Sequence, residues 1–86
     1  RLEVSPDPRV GEKTSITVYP RKFKKQLLNV HMVVYGEDGK QLLEDFLTSF
    51  DRGPVSSIFE AEQPGIYRVE ASVGKKALLA ETFEVR

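Results

Sequence analysis

Glycine, proline and short polar clusters interrupt this chain at residues 5–8, 10–12, 20–25, 36–39, 51–54, 63–65 and 74–76. Each break is rich in residues that adopt special backbone angles or end a ladder, and the segments between breaks run to about a dozen residues at most. Turn punctuation at that spacing marks an all-β chain.

Within the segments, apolar and polar side chains alternate with the two-residue period that sends neighbours to opposite faces of a sheet. Ile16 and Val18 face one way, while Ser15, Thr17 and Tyr19 face the other. In residues 28–35 the inward set is Leu28, Val30, Met32 and Val34, which leaves Asn29, His31, Val33 and Tyr35 on an outward row. Tyr67, Val69, Ala71 and Val73 alternate with Arg68, Glu70 and Ser72, and Phe83 and Val85 close the chain with the same parity. Leu79 continues that parity but Glu81 breaks it, which calls for a bulge or an edge position. Gln41 to Phe50 is ambiguous, because Leu42, Phe46 and Phe50 fit both a strand period and an i, i+4 helical stripe. The short length and the Glu37-Asp38-Gly39 turn before it favour a strand with a bulge or one helical turn. Residues 1–4, followed by Pro6 and Pro8, read as an edge strand. About seven strands result, enough for two packed sheets.

The chain has 86 residues, 40% hydrophobic and 30% charged, which suits one modest globular core. Thirteen basic and thirteen acidic residues give a formal net charge of zero, so no whole-domain field draws in nucleic acid or an anionic bilayer. No apolar run approaches the roughly 18 residues a membrane-spanning helix needs. Without cysteine there is neither a disulfide framework nor thiolate chemistry. The chain opens on Arg1, and residues 1–86 are expected to be a single domain excised from a larger protein.

The string Gln63-Pro-Gly-Ile-Tyr-Arg-Val-Glu-Ala-Ser-Val resembles the entry into the penultimate strand of immunoglobulin-like and fibronectin type III-like modules. Pro8-Arg-Val-Gly-Glu-Lys-Thr-Ser-Ile-Thr-Val is similar to the opening of bacterial and archaeal modules of that kind, macroglobulin-type domains included. Val34-Tyr-Gly-Glu-Asp-Gly-Lys resembles their central hairpin, while Gly65-Ile-Tyr-Arg-Val and Thr82-Phe-Glu-Val give a looser likeness to filamin repeats. The resemblance implies a two-sheet immunoglobulin-like sandwich in which Gly65 turns the chain. Tyr67 would pack at the sandwich corner and bond to upstream backbone between residues 59 and 64. It further implies a non-catalytic structural or protein-binding module of a multidomain, extracellular or cell-surface protein. An accessory domain attached to an enzyme and a filamin-like cytoskeletal repeat are the alternatives.

The residues that could carry binding are few. Arg21, Lys22, Phe23, Lys24 and Lys25 place four cations around one aromatic, a candidate patch for an acidic partner. Glu37, Asp38, Glu44 and Asp45 form an acidic counterpart that the basic loop of another copy could meet. Val33 and Tyr35 on the outward row make a second candidate contact surface, for a protein partner or a neighbouring domain of the same chain. His31 is the single histidine, no phosphate-cradling glycine loop or calcium-loop spacing occurs, and no catalytic residue, metal or cofactor is expected.

Overall fold

A computed structural model describes residues 1–20, 26–74 and 77–86. Seven strands follow one another: β1 (Leu2–Val4), β2 (Lys13–Val18), β3 (Leu27–Tyr35), β4 (Gln41–Phe50), β5 (Val55–Glu60), β6 (Gly65–Val73) and β7 (Ala77–Val85). They form two antiparallel sheets, one of order β1-β2-β5 and the other of order β4-β3-β6-β7. The protein is an all-β sandwich.

The two-residue period decides what lies between the sheets. Val30, Met32 and Val34 of β3 and Val69, Ala71 and Val73 of β6 are sealed from solvent, and they face Ile16, Val18 and Phe59 of the smaller sheet. Full burial of side chains this size is worth about 1.5–3 kcal/mol each relative to exposure, so this one layer dominates the stability. A polar contact also crosses it: Ser57 Oγ on β5 donates to Asp45 Oδ2 on β4.

The ambiguous segment is a ten-residue strand, β4, at the edge of the larger sheet. Val34 pairs with Leu43 but Tyr35 pairs with Gln41, so Leu42 is an extra residue and the strand bulges there. A spacing of four is also two strand periods, which is how Phe46 and Phe50 line one face while Leu43 and Leu47 line the other. Glu81 needs no bulge. It pairs in unbroken register with Val69 and stays exposed because β7 is the opposite edge of the same sheet.

The connection from β4 to β5 changes sheets through residues 51–54. Asp51 and Arg52 both adopt positive φ, 50° and 61°, as the two central residues of a turn closed by Gly53 N–H donating to Phe50 O at 2.9 Å. Buried Ser49 clamps the turn by donating to Gly53 O at 2.6 Å.

The molecule measures 38 × 21 × 16 Å. Its 5844 Å² of surface exceeds the roughly 5,100 Å² that scaling gives for a chain of this mass, as an elongated two-layer body should.

Candidate functional site

Register builds a surface on the outer side of the larger sheet. Directly paired residues of antiparallel strands project from the same face, so Phe50 stands beside Leu27, and Phe46, His31, Ser72 and Leu78 form one row across all four strands. Eight large hydrophobic residues are exposed among the described residues, and five of them, Leu27, Phe46, Phe50, Ile66 and Leu78, fall on this face by strand parity. Phe46 is 76% exposed and Phe50 68%. With about 200 Å² of surface per ring, these two leave roughly 300 Å² of apolar area in water, already the size of a large patch on a monomeric protein.

Several polar and charged groups on this face find partners within it. His31 Nε2–H donates to Glu44 Oε2 at 2.8 Å, and the imidazole stacks on the Phe46 ring with centroids 4.5 Å apart and planes 13° from parallel. Arg68 Nε donates to Glu70 Oε2 at 2.9 Å, and Arg86 Nε lies 3.6 Å from Glu84 Oε1. These pairs are solvent-exposed and add at most about 1 kcal/mol each to stability.

The outward row of β3 differs from its expected role. Val33 is only 6% exposed, with its paired neighbours Glu44 and Glu70 flanking it on the same face, so it offers little surface for contact. Tyr35 is half-buried beside Arg68 and Gln41. The residues that present apolar surface are instead Phe46 and Phe50, one strand away, with Leu27 and Leu78. The sequence holds a signal for them: apolar side chains of both parities in Gln41 to Phe50 cannot all be buried by a strand with one neighbouring layer.

The acidic counterpart is divided by the same geometry. Glu44 points outward to His31 and Asp45 inward to Ser57, while Asp38 Oδ1 accepts from the Lys40 N–H in the hairpin turn. These carboxylates therefore form no single acidic surface. The basic patch of Arg21, Lys22, Phe23, Lys24 and Lys25 lies outside the described residues.

At one end of the sandwich, the hydroxyl of Tyr67 donates to the carbonyl of Gln63 at 2.5 Å. Its ring packs between Phe59 and Phe83, with centroids 5.4 and 5.8 Å away. Gly65 makes the approach possible with φ 150°, a region that residues bearing a Cβ rarely enter. Tyr67 and Gly65 are thus built into the core and its corner. Near them a cleft of about 660 Å³ is lined by residues that include Glu37, Glu60, Glu62 and Gln63. No group of three metal-ligating side chains comes together among the described residues.

No protein-family model, curated protein or solved structure matches this chain.

Proposed function

We propose that this domain is a non-catalytic interaction module of a larger, multidomain protein, and that the outer side of its four-stranded sheet is the surface it uses. The observation that carries the reading is the presence of five exposed large hydrophobic residues on that one face. Such side chains contribute little to folding while they remain in water, and a face that carries several of them favours contact with another protein. Because Arg68 and Arg86 already have carboxylate partners on the face, the fitting partner is a largely apolar protein surface.

The immunoglobulin-like reading is supported by the strand order β1-β2-β5 over β4-β3-β6-β7, which resembles that of fibronectin type III-like modules, and by the Tyr67 to Gln63 hydrogen bond at the corner. An extracellular or cell-surface setting is carried by the resemblance of residues 8–18 to bacterial and archaeal modules. The non-catalytic reading is supported by the state of His31. Ser72 stands beside it in the row, but no hydrogen bond joins the two, and the imidazole is held by Glu44 and Phe46 on an open sheet face.

Carbene footprinting tests the proposal by comparing the isolated domain with the full-length parent protein in its native setting. Labelling of Phe46, Leu27 and Leu78 is expected to fall severalfold in the parent. Equal labelling in both would overturn the reading.

A further inference from the structure

We propose that the peptide bond between Asp7 and Pro8 is a self-cleavage site: in mild acid the Asp7 carboxylate cuts its own backbone carbonyl and detaches residues 1–7, β1 included, from the rest of the chain.

Three residues other than glycine adopt positive φ among the described residues. Asp51 and Arg52 share a turn that a backbone hydrogen bond closes. Asp7, at φ 56°, has no such bond closing a turn across it, and the residue after it is Pro8, whose ring pushes its predecessor toward extended angles. Both flanks are fixed. Upstream, Ser5 N–H donates to Ser15 O at 2.8 Å and Ser5 Oγ accepts from Ser15 N–H at 3.0 Å. Downstream, Pro8 O accepts from Arg86 N–H at 3.1 Å and Val10 N–H donates to Arg86 O at 3.0 Å. Held from both sides, Asp7 keeps an unfavourable conformation, and backbone strain of this kind concentrates where chemistry happens.

The reacting groups adjoin the strained bond. Asp7 Oδ2 accepts from Arg9 Nε at 3.2 Å and from Arg9 Nη2 at 3.0 Å. Arg9 lies two residues downstream, so this fork draws the carboxylate toward the Pro8 side of its residue, and Oδ1 has no partner among the described residues. Attack of Oδ1 on the Asp7 carbonyl carbon closes a five-membered ring. The Pro8 nitrogen takes a proton from the acidic medium, the C–N bond breaks, and Pro8 leaves as a secondary amine. One water then opens the cyclic anhydride, which leaves Asp7 with its side-chain carboxylate and a new C-terminal one. Neither oxidant nor cofactor enters the balance. Asp7 is exposed, so water reaches the ring, and Asp-Pro occurs once in the chain. Of the other charged groups on the adjoining segments, Glu3 pairs with Arg1 at 3.2 Å and Glu84 with Arg86 at 3.6 Å, while Glu12 and Lys13 make no ion pair among the described residues. After cleavage β1 is held only by its three residue pairs with β2, the Arg1 to Tyr19 hydrogen bonds and the partly buried Leu2 and Val4, and its departure opens the β2 edge.

The test follows the intact chain by mass spectrometry at the lowest pH at which circular dichroism still shows the folded strand spectrum, with and without urea. Fragments 1–7 and 8–86 are expected, the second beginning at Pro8. The folded chain should be cut about tenfold faster than the unfolded one, because cutting relieves the strain at Asp7. Asp7→Asn and Pro8→Ala, each with an unchanged circular dichroism spectrum, should slow the cut by more than about tenfold. Arg9→Ala should slow it severalfold through loss of the fork that positions the carboxylate. A folded chain that stays intact, that is cut no faster than the unfolded chain, or that is equally labile with Asp7→Asn would overturn the proposal. These outcomes are independent of the footprinting comparison, which concerns the outer face of the larger sheet.

Discussion

The two sides of the four-stranded sheet are made from the same strands and carry side chains of the same kinds, yet they stand in opposite environments. On the inner side Val30, Met32, Val34, Val69, Ala71 and Val73 are at most 1% exposed. On the outer side Phe46, Phe50, Leu78 and Leu27 are all at least 60% exposed. The inner set holds the fold together, since each member leaves water when the sheets close. The outer set gains nothing from that event. Its apolar character is free to serve contacts beyond the sandwich, and for that reason we propose function there.

Substitutions can break the contrast or sharpen it. Met32→Ala, in the sealed layer, should lower unfolding free energy by about 2–5 kcal/mol in urea titration. Val33→Ala is the sharper probe, because this residue faces outward yet is buried. A loss of about 1–2 kcal/mol would show that burial, rather than direction, sets its contribution. Tyr67→Phe should cost about 1 kcal/mol by deleting the bond to Gln63, and a variant as stable as the parent would deny that corner its structural role. Glu44→Gln removes an exposed ion pair and should change stability by less than about 1 kcal/mol. Leu78→Ser should shift the urea midpoint least, by the equivalent of about 0.5 kcal/mol or less. A loss as large as that for Met32→Ala would mean that the outer side supports the fold after all.

How much could be read from residue order follows the range of the interactions. The inward sets of β2, β3 and β6 are legible because alternation along a strand is local, and one sealed layer enforces it. The segment Gln41 to Phe50 was legible only as an alternative, since a spacing of four satisfies a helix and a strand alike; pairing with β3 and the extra residue Leu42 settle it as strand. Val33 is buried and Tyr35 half-buried, while the most exposed apolar side chains of this sheet sit on β4. Val33 and Tyr35 look exposed by parity, but parity does not say which neighbours lean over them.

The spacing of turn residues and the two-residue period determined by themselves that this chain forms strands, and which side of most strands is oily, because both depend on backbone angles and on adjacent side chains. Tertiary structure alone decided which strands became edges, which acids found Ser57 or His31, and which apolar residues from β3, β4, β6 and β7 came to share one open face. Those outcomes depend on register between segments far apart in the chain, and register is set by the packing of both layers at once.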